Sequence, residues 1–152
     1  MNIEWKLYPF NDLTIHQLYE ILRLRQEVFA VEQNCAYQDC DHKDEQAFHL
    51  CGYLNHELIA VARILPPDYA YSGCSSLGRI CNKQSHRGNG LGKELMDQCL
   101  IALKSKYSGW PCRIAAQTYL LPFYKNFGFI KTDVAYYEDG IHHTEMLLEK
   151  LP

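Results

Sequence analysis

The chain has 152 residues, of which 47 % are hydrophobic and 22 % are charged, and its net charge is −3. This composition is typical of one soluble globular domain spanning residues 1–152, and the weak negative charge gives no reason to expect a nucleic-acid partner. No apolar run approaches the ~20 residues of a membrane span, and the N terminus lacks the apolar core of a signal peptide. Seven cysteines without a C-x-x-C pair favour reduced thiols. We therefore expect a cytoplasmic protein with no membrane partner.

The first half of the chain predicts one helix followed by three strands. Thr14 and Gln17 match a capping box, and apolar residues then recur at helical spacing. Residues 31–46 are polar and acid-rich, which predicts a loop. The strands are predicted at 48–54, 57–65 and 75–82, with a short turn at Asn55–His56 between the first two.

The second half predicts two helices and three more strands. An apolar stripe with a 3.6-residue period predicts an amphipathic helix from Gly90 to Tyr107. CRIAAQ, at 112–117, predicts a strand, and the segment Pro122–Phe127 predicts a short helix that Gly128 ends. Two extended runs around Glu138-Asp139-Gly140 predict a hairpin. This order indicates a mixed α/β chain with a central sheet.

Charge is distributed unevenly along the chain. Residues 79–93 carry four basic residues and no acid, whereas residues 32–45 carry five acids and one lysine. We expect the basic segment to hold an anion and the acidic segment to face a cationic ligand.

The stretch SHRGNGLGKEL, residues 85–95, is the strongest motif. It lacks the spacing of a G-x-x-x-x-G-K-[ST] loop, because Arg87 stands where the first glycine belongs and Glu94 replaces the final Ser or Thr. It also lacks the third glycine of G-x-G-x-x-G. What remains is R/Q-x-x-G-x-G/A between a strand and a helix, which favours main-chain N–H groups and a helix N terminus converging on a phosphate.

This pattern resembles the pyrophosphate loop of the GCN5-related N-acetyltransferases (GNAT). LPFYKNFGF, at 121–129, is similar to the F-Y-x-x-x-G-F segment of that family. The ordered set LRLRQEVFAVEQNCAYQDCD, the later His49, GRI at 78–80, AAQTYLLPFYKNFGF and YYEDGIHHTEM resembles the ElaA-like branch over nearly the whole chain. The resemblance implies a single-domain GNAT (acyl-CoA N-acyltransferase) fold, in which a mixed central β-sheet is flanked by helices.

The resemblance also implies acetyl-CoA as cosubstrate, with its pantetheine arm between two splayed parallel strands. Those strands would contain Arg79–Asn82 and Ile114–Gln117. Lys93 is equally well explained as a solvated first-turn residue, and Gln117 is expected near the cofactor because an exposed glutamine contributes little to packing. The implied cofactor-binding residues are Ile80, Cys81, Asn82, Arg87, Gly88, Asn89, Gly90, Leu91, Gly92, Lys93 and Gln117.

Tyr124 is the predicted catalytic residue. Its place after the second splayed strand resembles that of the general acid of the family, and a phenol is protonated at neutral pH, so it can donate to a departing thiolate. The neighbouring aromatic residues are expected to form core instead. A glutamate that many relatives carry on the strand before the glycine loop is absent from SSLGRICN, so the resemblance assigns no general base.

The binding site for the acceptor amine is less well defined by the sequence. Arg25 lies on an apolar helical stripe, which predicts either a buried ion pair, with Glu32 as candidate partner, or an acceptor-site role. The acidic segment, with Tyr37 as an apolar contact, is expected to attract a cationic amine. The candidate bases are Glu32, Glu45, His49, His142 and His143. The predicted substrate-binding residues are Arg25, Glu32, Tyr37, His49 and His142.

Several alternatives stay open at this point. The spacing of Cys35 and Cys40 is poor for structural zinc, so we expect no metal. Cys81 and Cys112 lie in apolar strands, where thiols are inert, which favours direct amine attack over an acyl-thiol intermediate. A non-catalytic acyl-CoA-binding module and an acyl-homoserine-lactone synthase-like enzyme are the rival functions. The acceptor is expected to be a small-molecule or peptide amine, and the protein a monomer or a homodimer.

Overall fold

The computed structural model describes all residues from 1 to 152 and contains seven strands and three α-helices. In chain order they are β1 (Glu4–Pro9), α1 (Ile15–Arg25), β2 (Phe48–Leu54), β3 (Glu57–Leu65), β4 (Ser76–Asn82), α2 (Leu91–Tyr107), β5 (Cys112–Gln117), α3 (Leu121–Lys125), β6 (Ile130–Glu138) and β7 (Ile141–Leu148). None of the helices is long and apolar enough to cross a membrane.

The first sheet is antiparallel, with the order β1-β2-β3-β4. Its β2–β3 turn confirms the prediction, because Asn55 and His56 both have positive φ, at 50° and 67°. Strand β1 was not predicted. It depends on a distant contact, since the ring of Trp5 lies against Gly52, where a Cβ would be 2.6 Å from a ring carbon. The Trp5 indole also donates to Glu94 at 2.8 Å, which joins β1 to α2.

The second sheet has the order β5-β7-β6, and its hairpin turns at Asp139 and Gly140 as predicted. The predicted central sheet is therefore divided into two. A single parallel bridge joins the halves, in which Ser75 N donates to Pro111 O and Arg113 N donates to Ser75 O, both at 2.9 Å. No further bridge links β4 and β5. The predicted pair of splayed parallel strands is confirmed, and the opening widens toward Asn82 and Gln117.

The helices cover opposite faces of the first sheet. Helix α2 packs with the larger apolar cluster, which includes Leu50, Ile64 and Leu77. Helix α1 packs with a smaller cluster that includes Val61 and Cys81. Because successive strand residues point to opposite faces, this alternation fixes which face each site residue occupies.

Helix α1 begins and ends in different ways. The predicted capping box of Thr14 and Gln17 is confirmed at its start. At its end the chain continues into a π-helical segment, Gln26–Glu32, where the sequence predicted only helix and loop. Widened turns of this kind occur frequently at functional sites.

Candidate active site

The opening between β4 and β5 exposes main-chain groups of β4. Lys83 N donates to Ile59 O at 2.8 Å, and Cys81 pairs with Val61 on β3. Bonded and non-bonded positions alternate along an antiparallel pair, so the main-chain groups of Ile80 and Asn82 face the opening and those of Cys81 face β3. Of the three predicted β4 contacts, Ile80 and Asn82 are therefore better placed than Cys81.

The glycine stretch leads directly from β4 to α2. Gly88 and Gly90 have φ values of 88° and 79°, a region that favours glycine, and no atom lies within 4 Å of the Cβ position of either residue. Gly90 is the N-cap of α2 and supplies no capping side chain. The first N–H groups of the helix, which include those of Leu91 and Gly92, thus have no intrahelical partner. This main chain can accept an anion, while the Leu91 side chain is buried in the core.

Arg87 precedes the glycines and is held in place by three acceptors. Its Nε and Nη2 donate to the side-chain and main-chain oxygens of Asn82, both at 2.9 Å. Its guanidinium also forms an ion pair with Glu32, in which Nη2 lies 3.0 Å from Oε2. The hydrogen bond that Arg87 donates to Glu32 raises the pKa of Arg87. Glu32, predicted as a partner of Arg25 or an acceptor contact, is instead the partner of Arg87.

The other basic residues of 79–93 are also paired with acids. Lys93 is exposed, and its Nζ lies 2.7 Å from Asp97 one turn along α2, which is the geometry of a solvated first-turn residue. Lys83 pairs with Glu57, and Arg79 pairs with carboxylates of the acidic segment. Arg79 and Arg87 thus pair with carboxylates of the acidic segment, whereas Lys83 and Lys93 pair with acids elsewhere, so every basic residue of this segment already has an acidic partner.

Tyr124 lies in α3, directly after β5, and is 8 % exposed. Its ring packs edge-on against Phe123 and Phe129, with centroid distances of 5.2 and 6.1 Å. The hydroxyl forms no hydrogen bond with another residue. Burial raises the pKa of Tyr124, which keeps this hydroxyl protonated.

The end of the π-helical segment and the residue after it connect the glycine stretch with the end of β5. Glu32 pairs with Arg87, and the next residue, Gln33, exchanges two amide hydrogen bonds of 3.2 Å with Gln117. The predicted position of Gln117 beside the opening is consistent with this contact. Gln33 was not predicted, and no local sequence signal identifies it, because 84 positions separate the two glutamines.

Arg25 forms the predicted buried ion pair, but with other partners. It is 1 % exposed, and its Nη1 lies 2.6 Å from Asp44 while its Nε lies 2.9 Å from Asp39. Burial opposes the charge on Arg25, yet the hydrogen bond and charge of Asp44 outweigh it and raise its pKa. The prediction of Glu32 as its partner is wrong. The Arg25 side chain is enclosed and donates its hydrogen bonds to Asp39 and Asp44, which argues against direct contact with an acceptor substrate.

The same carboxylates bind two further arginines. Arg63 donates to Asp41 at 2.7 and 2.9 Å, and Arg79 contacts Asp39 and Asp41. Arg79 has a positive φ of 49° at the register shift between β3 and β4, so these bonds hold an unusual backbone conformation. Three carboxylates of the acidic segment are therefore committed to a structural ion network, which argues against their attracting an amine, whereas Glu45 is exposed and outside it.

Tyr37 and His49 belong to this network as well. The Tyr37 hydroxyl donates to Asp39 at 2.7 Å, and its ring lies under the Arg79 guanidinium. His49 is 2 % exposed, and its Nε2 lies 2.9 Å from Asp44 O, a carbonyl that only accepts. Burial lowers the pKa of His49, so it is neutral. His49 is enclosed in the network, contrary to the expectation of an acceptor contact.

Two histidines of β7 lie near the end of β5. His142 Nδ1 is 2.6 Å from Thr118 Oγ1, which is in turn 2.8 Å from Thr144 Oγ1. His143 pairs in register with Gln117, and its ring stacks on Tyr136 at 5.9 Å. The sequence named both histidines as candidate bases, and the structure places them on opposite faces of the second sheet.

The cysteines carry no sign of a reactive pair. All seven thiols are free, and burial raises the pKa of Cys81 and of Cys112 to about 12. Their predicted inertness is consistent with that burial. No group of three or more His, Cys, Asp or Glu side chains converges in a geometry that could hold a metal ion.

Comparison with known proteins agrees with this architecture. A family model described as an acetyltransferase (GNAT) domain matches residues 16–150. Protein ElaA of Escherichia coli strain K12 is 40 % identical over 149 residues, which cover 97 % of each chain. The crystal structure of E. coli ElaA superposes with a TM-score of 0.90 at 39 % identity, over 97 % of this chain and 100 % of that chain.

Two further structures bear on the activity. An acyl-CoA N-acyltransferase from Pseudomonas aeruginosa superposes with a TM-score of 0.92 at 35 % identity, over 97 % of this chain and 99 % of that chain. The coenzyme A-dependent acyl-homoserine lactone synthase BjaI has a TM-score of 0.78 at 15 % identity, over 97 % of this chain and 83 % of that chain, which is a likeness of fold alone. Together with the splayed strands and the glycine stretch, these matches place the chain in the GNAT acetyltransferase family, as an acyltransferase of its ElaA-like branch.

Proposed function

We propose that residues 1–152 form one N-acetyltransferase domain that transfers the acetyl group of acetyl-CoA to a primary amine by direct attack. The observation that carries this proposal is the opening between β4 and β5, joined only at Ser75 and Cys112 and leading at its wide end to the glycine stretch. An extended amide-bearing chain fits between such strands, because free main-chain groups face the gap.

The residues around the opening fit coenzyme A. The main chain at Gly88, Gly90 and Gly92 is open enough for phosphate oxygens to approach, and the positive end of α2 favours their charge. Arg87 contributes a guanidinium once it exchanges Glu32 for phosphate oxygens, and exposed ion pairs of this kind are weak. We propose the main chain of Ile80 and Asn82 for the pantetheine amides, with Asn89 and Gln117 at the edges. Leu91 contributes through its N–H group.

Tyr124 is the proposed general acid. As the amine nitrogen bonds to the acetyl carbon, the carbon–sulfur bond breaks and the sulfur leaves with the electron pair. The protonated Tyr124 hydroxyl, which has no partner in the protein, is free to donate to that sulfur. The buried cysteines, with raised pKa values, are poor nucleophiles, which supports direct transfer.

The two rival functions require different residues or substrates. A non-catalytic acyl-CoA-binding module has no use for an unpartnered tyrosine hydroxyl beside the opening, whereas an acetyltransferase does. An acyl-homoserine-lactone synthase-like activity needs S-adenosylmethionine in addition to an acyl donor. The fold likeness to BjaI does not favour this activity, because likeness at 15 % identity shows the fold alone.

Two measurements test the proposed function. Calorimetry with acetyl-CoA and with coenzyme A should detect binding of both. Mass spectrometry should then detect an acetylated product with a polyamine, an aminoglycoside, a peptide with a free N terminus or a lysine-containing peptide. Absence of binding to either coenzyme A form would overturn the proposal. Binding without acetylation of any of these amines would favour the non-catalytic module.

A further inference from the structure

His143 has a fixed proton position. Its Nδ1 lies 2.8 Å from Ile141 O, and a carbonyl oxygen can only accept a hydrogen bond. Nδ1 therefore carries the hydrogen, and in the neutral ring Nε2 keeps a free lone pair. His142 differs, because its Nδ1 partner is the Thr118 hydroxyl, which can donate or accept. Of these two histidines, His143 alone has an Nδ1 partner that can only accept, which leaves Nε2 unprotonated in the neutral ring.

His143 lies on β7, which is one strand beyond the β5 side of the opening. It is the register partner of Gln117, the last residue of β5. Opposed side chains on an antiparallel pair have Cβ atoms about 4.5–5.5 Å apart on the same face. The Gln117 side chain hydrogen-bonds to Gln33, which follows the π-helical segment after α1. His143 therefore lies on the face of the second sheet that this segment approaches.

Tyr124 lies on the opposite face. It belongs to the apolar cluster that contains Ile114, Ala116 and Met146, and these residues alternate with Gln117, His143 and Glu145 along β5 and β7. Tyr124 and His143 thus lie on opposite faces of the second sheet, near the β5 side of the opening.

We propose that His143 is the general base of the transfer reaction, with Nε2 accepting the proton that the acceptor amine must lose. This assignment rests on the proposed function. An alkyl ammonium gives one proton to Nε2, directly or through one water, and the freed nitrogen lone pair forms the carbon–nitrogen bond. The carbon–sulfur bond breaks, Tyr124 protonates the sulfur, and the second amine proton restores Tyr124. His143 then releases its proton to solvent, so one proton is released per amide formed.

Several ionisable groups face His143, and Glu138 of β6, two residues beyond Tyr136 on the same face, is a carboxylate outside any ion pair. Tyr136 of β6 stacks on the ring, and burial raises its pKa, so it is neutral. On the same face Arg113 of β5 and Glu145 of β7 form an ion pair of 3.2 Å. Tyr71, from the loop after β3, lies under Arg113, and burial raises its pKa too.

The test compares three histidine variants: one at His143, one at His142 and one at the surface residue His16. His143→Asn keeps a donor in the position of Nδ1 and removes Nε2, and His142→Asn makes the same change on the opposite face. His16→Asn, on the exposed side of α1, is the matched control. With the amine that wild-type protein acetylates best, we expect His143→Asn to lower kcat/KM by roughly 100-fold or more. Acetyl-CoA binding by calorimetry should stay unchanged in all three.

The pH profile separates catalysis from a structural role. Wild-type kcat/KM should fall at acidic pH, because an imidazolium accepts no proton, and it should reach a plateau once the imidazole is neutral. In His143→Asn the plateau should vanish, and the rate should climb toward the amine pKa near 10.4, because only free amine then reacts. Added imidazole should restore part of the activity at neutral pH.

Three outcomes would overturn the assignment. If His143→Asn keeps both its rate and its plateau, His143 is not the base. If His142→Asn removes the plateau instead, the base lies on the other face. If His143→Asn loses acetyl-CoA binding, its role is structural. All three differ from failure of the proposed function, in which wild-type protein itself forms no acetylated amine.

Discussion

At the scale of single residues, Tyr124 differs from its aromatic neighbours in one respect. Phe123, Phe127 and Phe129 fill the core around it, whereas Tyr124 adds a hydroxyl that no other residue binds. This hydroxyl contributes nothing to the aromatic packing, and without a partner in the protein it is available for the proposed proton donation.

Replacement of Tyr124 by Phe should separate catalysis from packing. The ring and its edge-on contacts are retained, so we expect stability and acetyl-CoA binding to match those of wild-type protein. Loss of the proton donor should lower kcat by roughly 100-fold. Steady-state kinetics and calorimetry check this, with Phe127→Leu as a control for aromatic packing. A Tyr124→Phe enzyme with wild-type kcat would show that another group protonates the sulfur.

Gly90 is constrained by its backbone rather than by space. No atom lies within 4 Å of its Cβ position, but its φ is 79°. We expect Gly90→Ala to lower the free energy of unfolding by about 1 kcal/mol, because an L side chain is strained in this region. Gly109→Ala is the control, since that glycine is equally open without a positive φ. Urea unfolding measures both; equal stability would show that the loop relaxes.

At the scale of elements, the acidic segment and the strands beside it are held by paired charges. Arg25 from α1, Arg63 from β3 and Arg79 from β4 converge on three aspartates of one loop. Such an enclosed network depends on every partner, because removal of one leaves a buried charge uncompensated. The network holds Arg79 in its positive-φ conformation at the register shift between β3 and β4. Because β4 borders the opening, the stability of the loop is linked to the shape of the candidate active site.

Asp44→Ala should destabilise the fold by about 3 kcal/mol at pH 7, because it leaves Arg25 and Arg63 short of a partner. Burial opposes ionisation of Asp44, but the hydrogen bond and charge of Arg25 outweigh it and lower its pKa. A lowered pKa stabilises the fold above the unfolded value near 3.9, and that stabilisation is lost as pH falls further. The difference between wild type and variant should therefore shrink below about pH 4.

Urea unfolding at a series of pH values provides the measurement for Asp44→Ala. Glu45→Ala is the matched control, because its side chain is the exposed neighbour of Asp44 and should change stability by less than about 0.5 kcal/mol. A pH-independent difference between Asp44→Ala and wild type would contradict the ionic explanation.

At the scale of the whole molecule, the thiols report how the chain is packed. Cys51, Cys81, Cys99 and Cys112 are buried, Cys35 and Cys74 are half-buried, and Cys40 is exposed. Burial raises the pKa of Cys51, Cys81 and Cys112 to about 12, so these thiols carry almost no thiolate at neutral pH.

Iodoacetamide should label Cys40 first in the native protein, then Cys35 and Cys74, and the four buried cysteines only after unfolding. Peptide mass spectrometry with and without urea measures this order. Incubation with acetyl-CoA alone should leave every cysteine unacetylated, as direct transfer requires. A stable acetyl thioester on any cysteine would contradict the direct mechanism.

Much of this molecule follows from local sequence patterns. The apolar runs gave β2, β3 and β5 with the bounds that the structure has, and the turn residues at Asn55–His56 and Asp139–Gly140 placed the hairpins. The glycine stretch and the segment around Tyr124 identified the family. Each of these signals spans a few neighbouring residues, so the chemistry of the residues themselves is enough to determine it.

The tertiary structure decided the partners. Arg25 pairs with Asp39 and Asp44 rather than Glu32, and Arg79 and Arg87 pair with carboxylates of the acidic segment, because distant segments meet only in the folded chain. Strand β1 likewise depends on β2 for its hydrogen bonds. The faces of β7 separated His143 from His142, although they adjoin in sequence, since alternation along a strand has meaning only once its neighbours are fixed.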